Sequence, residues 1–212
     1  MKRSGMMWIR DEDEFIGKFF EPTGDRFEIE HLDTALSYVA ARRCALDVGA
    51  HYGSWTRHLA RSFDRVMAFE PVPQTFDCLR RNVGDFANVD VHNAAIGQVP
   101  GFVSVSVGKM YAHPGMETVI GGGDTIMLRI DDLGLRHLDF LKVDVEGYEL
   151  FVLKGAEQML IEHKPVILLE ENIRGPLEHN VQNGECEKYL RSLGARRVAT
   201  VNKDLIFAWP TP

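Results

Sequence analysis

A short apolar run ends in a carboxylate and enters a glycine-spaced turn at Leu46-Asp-Val-Gly-Ala-His-Tyr-Gly53. The next apolar run, Arg65-Val-Met-Ala-Phe, closes on Glu70-Pro71. Glycines let the backbone approach a ligand closely, and an acid about 20 residues further on accepts both hydroxyls of a ribose. The turn is neither a G-x-G-x-x-G fingerprint nor a phosphate loop, because no Lys follows Gly53. Asp47, just before the turn, repels a pyrophosphate but suits a cationic sulfonium or amino group. The pattern points to S-adenosylmethionine (SAM).

Other polar clusters close later apolar runs: Asn93-Ala94, Asp144-Val-Glu146-Gly147 and Glu170-Glu171-Asn172. In an open α/β sheet, ligands bind beyond the carboxyl ends of the strands, so these ends are candidate site positions. Methyl transfer from a sulfonium needs an oxygen nucleophile in line with the methyl–sulfur bond and stripped of its proton. Positioning supplies much of that rate, and a base or a metal ion removes the proton. Asp144 is placed for either role. Strand alternation also sets Lys142 and Asp144 on one side, so a structural pair of Lys142 with Asp144 or Glu146 competes with the catalytic reading. His51, His92, His113 and His179 show no metal spacing, and His51 and His113 are the histidines best placed for catalysis.

The elements that position these residues alternate. Helical periodicity marks Glu28–Ala41, Ser54–Ser62, Pro73–Asn82, Tyr148–His163 and Glu185–Leu193, with Ser54 expected as an N-cap. Strands are predicted at Ala45–Val48, Arg65–Glu70, Val89–Ala95, Phe140–Asp144 and Val166–Glu170. Val198–Val201 and Leu205–Trp209 read as a terminal hairpin, and Phe102–Val107 with Thr125–Ile130 as an inserted antiparallel pair. The segment Gly108–Asp124, with five glycines and no periodicity, is expected to be a lid or binding loop. Repeated strand–helix units predict one α/β domain, a mostly parallel seven-stranded sheet with helices on both faces. Residues 1–43 form an arm and helix expected to cap the substrate, ahead of a catalytic domain at 44–212.

The chain has 212 residues, 45% hydrophobic and 26% charged, enough for one sizeable core. A net charge of −7 argues against a nucleic-acid backbone as partner. Three dispersed cysteines form no disulfide framework, and no run reaches the length of a membrane span, so a cytoplasmic protein is expected.

Taken together, Leu46–Gly53, Phe69-Glu-Pro71, Asn93-Ala-Ala-Ile-Gly97, Ile130-Asp-Asp-Leu133 and Leu141-Lys-Val-Asp-Val-Glu-Gly-Tyr-Glu149 resemble the FkbM-type SAM-dependent O-methyltransferases, with a Rossmann-like class I fold. The resemblance spans roughly residues 44–209, and its most specific element is Lys-x-Asp-x-Glu-Gly-x-Glu. It departs at His51, where the family usually carries Asn. It implies that Asp47, Gly49, Ala50, His51 and Gly53 shape the methionine end of a SAM site, with Asp144 beside the methyl. It further implies that Glu70 and Pro71 flank the ribose and that Asn93 and Ala94 lie against the adenine. Asp144 with Glu171 and Asn172 is similar to the Mg²⁺ site of catechol-type and sugar O-methyltransferases. The acceptor would be a hydroxyl of a small molecule or sugar, and a homodimer is compatible. Two other functions remain open at this point: a non-catalytic SAM-fold scaffold and a nicotinamide-dependent oxidoreductase.

Overall fold

The computed structural model describes residues 1–107, 117–170 and 181–210. A hairpin of β1 (Lys2–Ser4) and β2 (Met7–Ile9) precedes α1 (Glu14–Thr23) and α2 (Ile29–Leu36). The alternating body follows as β3 (Cys44–Val48), α3 (Ser54–Ser62), β4 (Arg65–Phe69), α4 (Pro73–Asn82) and β5 (Val89–His92). Next come β6 (Ala95–Ile96), β7 (Gly101–Val107), β8 (Glu117–Gly121) and β9 (Thr125–Leu128). The chain then forms β10 (Phe140–Val143), α5 (Glu149–Lys154), α6 (Glu157–His163) and β11 (Val166–Glu170). It ends in α7 (Glu185–Leu193), β12 (Arg196–Val201) and β13 (Asp204–Ala208).

The main sheet has seven strands in the order β12-β13-β11-β10-β3-β4-β5. The five strands from β11 to β5 are parallel, and the β12–β13 hairpin joins β11 antiparallel. From β3 the chain runs outward to β4 and β5, then returns to β10 on the other side of β3. The connections leaving β3 and β10 therefore diverge, and a crevice opens beyond the ends of these two strands.

Both faces of the sheet are buried, which is why its strands are apolar throughout rather than alternating. Leu46, Val48, Leu141, Val143 and Ile167 pack on the side of α5, α6 and α7. Ala45, Val66, Phe140 and Leu168 pack on the side of α2 and α3. Alternation places Asp47 and Lys142 on that second side, and the β3–β10 register makes them direct neighbours.

Several elements differ from the sequence reading. The strand expected at Val89–Ala95 is two: β5 stops at His92, and β6 joins a smaller sheet of order β6-β9-β7-β8. The inserted antiparallel pair is there as β7 and β9, extended by β8. The expected lid is correspondingly shorter, since 117–121 is strand β8, while 108–116 lies outside the described residues. The single helix expected over Tyr148–His163 is broken between α5 and α6. At the break, a Cβ on Gly155 would stand 2.1 Å from the Gly97 carbonyl oxygen, so this close approach needs glycine. Asp131 then caps α6 from outside, accepting from Gln158 N at 3.2 Å and Met159 N at 3.0 Å. Ser54 is the first residue of α3 rather than its cap, which is Gly53.

The N-terminal arm carries more structure than its charge suggested. Asn82, at the end of α4, accepts from Trp8 N at 2.7 Å and donates to the carbonyls of Trp8 and Tyr52, both at 2.8 Å. Tyr52 donates its hydroxyl to Asp13 at 2.8 Å, and Asp13 in turn caps α1 through Ile16 N. The arm is thus fastened to the glycine turn itself.

Candidate active site

Beyond the ends of β3, β10, β11 and the start of β13 lies a cleft. Its wall on the sheet side includes Gly49, Ala50, His51, Lys142 and Asp144. Ile16, Phe20, Phe27 and Glu28 close it from the arm and the start of α2.

The cleft is organised by a buried ammonium. Lys142 Nζ lies 3.2 Å from Asp47 Oδ1 and 3.4 Å from Asp144 Oδ2, and donates to the Gly49 carbonyl at 2.6 Å. It also sits 5.5 Å from the centre of the Trp55 ring. Burial alone would lower the lysine pKa; the two carboxylates outweigh it and hold the group charged, above the usual lysine range. Asp47 is fully buried and, beside this ion pair, its Oδ2 accepts a hydrogen bond from Thr56 Oγ1 at 2.6 Å. Its carboxylate faces Lys142 and Thr56, so any influence on a ligand passes through them. Asp144 is the partly exposed member and reaches the cleft. Of the two lysine pairs expected from the sequence, Lys142–Asp144 forms; the Asp47 partnership was missed, although strand register carries it.

The turn after β3 is compact. Gly49 has φ +81°, and a Cβ there would stand 1.8 Å from the Asp144 carbonyl oxygen, so the loops after β3 and β10 touch only through a glycine. Gly49 and Ala50 donate to the Phe69 carbonyl at 3.1 and 2.9 Å, tying the turn to β4. His51 has φ +51°. That left-handed region is enriched in Asn, Asp and His, which explains why His can stand where the family usually has Asn. His51 donates its backbone N–H to Glu70 Oε2 at 3.0 Å, and Val72 N donates to Glu70 Oε1 at 2.9 Å. Glu70 is buried where β4 ends, beside the turn. The His51 ring packs against Tyr52 at a tilt of 47°, with centroids 3.9 Å apart. Its Nε2 is buried with no hydrogen-bond partner among the described residues. Burial pushes its pKa down to about 3, so the ring is a neutral hydrogen-bonding group and a poor proton acceptor.

The remaining sequence candidates divide. Asn93 donates its amide to the carbonyls of Glu70 and Pro71 at 2.9 and 3.0 Å, so it braces the backbone around Glu70. Ala94 is buried beneath it. Glu171, Asn172, His113 and His179 lie outside the described residues. Among the described residues no group of three or more His, Cys, Asp or Glu is assembled for a metal ion. Asp144 already faces a buried ammonium, a neighbour that repels Mg²⁺. Glu170, expected at a strand end, lines the cleft, and so do Glu28 and Asp204, which the sequence reading missed.

The Lys-x-Asp-x-Glu-Gly-x-Glu motif also serves the backbone. Glu146 has φ +54° and Gly147 φ +107°, and Glu149 Oε1 accepts from Gly147 N at 2.9 Å and Val145 N at 3.3 Å. Left-handed backbone at Glu28 and His51 thus lines one cleft, where strain is commonly stored for function.

A family profile described as the methyltransferase FkbM domain matches residues 47–197, well over half of the chain. Methyltransferase sdnD of Sordaria araneosa is 27% identical, over 53% of this chain and 60% of that protein. The chain thus spans less than two thirds of that relative's length. The crystal structure of methyltransferase FkbM from Methylobacillus flagellatus KT superposes with a TM-score of 0.55 at 22% identity, covering 80% of this chain and 44% of that one. The T. thermophilus 16S rRNA N2 G1207 methyltransferase, solved with AdoMet and guanosine, gives a TM-score of 0.51 at 16% identity over 88% of this chain and 43% of its own. Among the described residues no helix is long and apolar enough to cross a membrane.

Two outcomes follow from the buried charges. Lys142→Met leaves the buried Asp47 carboxyl without its ammonium and should lower stability by about 3–5 kcal/mol in urea unfolding. Adding Asp47→Asn should recover most of that loss, and equal midpoints for the single and double variants would refute the pairing. Burial raises the Glu149 pKa from 4.5 to about 7. The folded chain therefore holds a proton that the unfolded chain has released, and stability falls as pH rises through that window. Glu149→Gln should remove a slope of about 1–3 kcal/mol, seen as a variant less pH-dependent than the parent in thermal unfolding.

Proposed function

The chain belongs to the FkbM methyltransferase family, and on that premise we propose that it is a SAM-dependent O-methyltransferase acting on a hydroxyl of a small molecule or sugar. The observation carrying this reading is the crevice between β3 and β10, where a glycine turn meets a buried carboxylate at the end of the next strand. That is where an α/β sheet binds a nucleoside, with the acid on the ribose hydroxyls. When bound, SAM supplies an electrophilic methyl group on a sulfonium.

In this reading Glu70 accepts the ribose hydroxyls and Asn93 keeps the Glu70–Pro71 backbone in place, with Ala94 under the adenine. Gly49, Ala50 and Gly53 let the main chain lie close to the methionine end. Lys142, through Asp47, Asp144 and the Gly49 carbonyl, holds the two loops at one separation. Asp144 takes the proton of the acceptor hydroxyl as the oxygen attacks, and neutral His51 orients that hydroxyl. Residues 1–43 cover the acceptor, with Phe20 and Phe27 excluding water. No step is routed through a metal.

Calorimetry should find S-adenosylhomocysteine (SAH) binding far more tightly than NAD, and the reverse order would overturn the cofactor assignment. Glu70→Ala should weaken SAH by about 1–3 kcal/mol, the scale of a lost charge-assisted hydrogen bond. An unchanged dissociation constant in the folded variant would remove Glu70 from the site.

The chemistry is read with labelled SAM against hydroxylated acceptors, followed by mass spectrometry. Asp144→Asn should keep near-parent SAH affinity and lose about 10²-fold or more in turnover. Turnover at the parent rate would end the proposed role. A loss of thermal stability alone would leave Asp144 as a structural partner of Lys142.

A further inference from the structure

The cleft has a second set of polar groups on the side away from the glycine turn. Asp204, the first residue of β13, is buried, and its Oδ2 lies 2.6 Å from His31 Nδ1. His31 Nε2 lies 2.9 Å from the amide nitrogen of Asn202. An amide nitrogen only donates, so the ring accepts there and donates its Nδ1–H to Asp204. Asp204 is thereby an oriented acceptor. Glu28, the N-cap residue of α2 at φ +52°, makes no side-chain capping bond and lines the same cleft.

These carboxylates are short of positive charge. Lys142 is committed to Asp47 and Asp144, and Lys203 pairs with Glu170. Among the described residues neither Glu28 nor Asp204 meets a lysine or arginine at ion-pair distance. Burial raises both of their pKa values and Asp144 adds to the rise at each, while His31 and Lys203 offset only part of it. Like charges this crowded call for a cation, and no metal-binding group of side chains is assembled among the described residues. The walls are aromatic: Phe20, Phe27 and Trp55. Carboxylates beside ring faces are the combination that holds an organic ammonium. His51 gives a further sign of a polar ligand, since it lines this cleft and its buried Nε2 has no hydrogen-bond partner among the described residues.

We propose that Asp204 and Glu28 bind a protonated amine of the methyl acceptor, so that the substrates are amine-bearing alcohols or phenols. The inference rests on reading this cleft as the acceptor side of the SAM site. Asp204, fixed by His31, and Glu28 set the amine at one end of the acceptor, and the hydroxyl is left at the other, towards His51 and Asp144. An anionic acceptor meets repulsion from both carboxylates.

The test is calorimetry on SAH-saturated protein with three matched probes that differ only in their end group: tyramine, para-ethylphenol and para-hydroxyphenylpropionate. Tyramine should bind about 10-fold or more tighter than the neutral phenol, and the acid should bind more weakly than either. Asp204→Asn should abolish the preference for tyramine while leaving SAH affinity within about 2-fold. Glu28→Gln, at a less buried position, makes the same measurement if Asp204→Asn does not fold. Equal or stronger binding of the neutral or anionic probe overturns the proposal, as does no binding of any probe. A parallel loss of SAH affinity in the variants also overturns it, because the carboxylates would then serve the cofactor's own ammonium. If SAH fails to bind the parent protein, the cofactor reading fails. The charge preference measured without SAH then still decides the amine site.

Discussion

The ammonium of Lys142 is the constraint on which the rest of the site depends. A charge buried between β10 and β3 is tolerable only with its partners in place, and those partners come from three places in the chain. Asp47 comes from the neighbouring strand, Asp144 from the strand's own exit, and the Gly49 carbonyl from the turn. Satisfying one lysine therefore fixes the spacing of the two loops that frame the crevice. The contact of Gly49 with the Asp144 carbonyl is the steric counterpart of the same arrangement.

Much of this could be read from residue order, because the informative signals were local. Apolar strands bounded by acids and glycines gave the parallel core, and the terminal hairpin followed from its turn residues. Glu70, Asp144 and the glycine turn lie close together in space because they end adjacent parallel strands. What could not be read depended on contacts distant in sequence. The helix over Tyr148–His163 breaks because Gly155 meets Gly97 and Asp131 caps the second half, and no periodicity contains those contacts. Asp204 looked like a turn residue of a hairpin. Only its antiparallel pairing with β11, opposite Glu170, carries it to the cleft.

Position 51 shows how backbone geometry refines a motif. A His where Asn is usual suggests a change of chemistry when side chains are compared. The left-handed φ is one that both residue types tolerate, and in this chain the main-chain N–H there is aimed at Glu70. The imidazole is an addition to that backbone role, packed at a tilt against Tyr52 and kept neutral by burial.

Tyr52 belongs to two structures at once. Its backbone is part of the glycine turn, and its hydroxyl holds Asp13 at the head of α1. A single residue thus joins the turn after β3 to the arm that closes the cleft. Any occupant that shifts the turn does work on the arm, and any occupant gripped by the arm does equal work on the turn. Thermodynamic reciprocity then makes the two affinities rise or fall by one common factor.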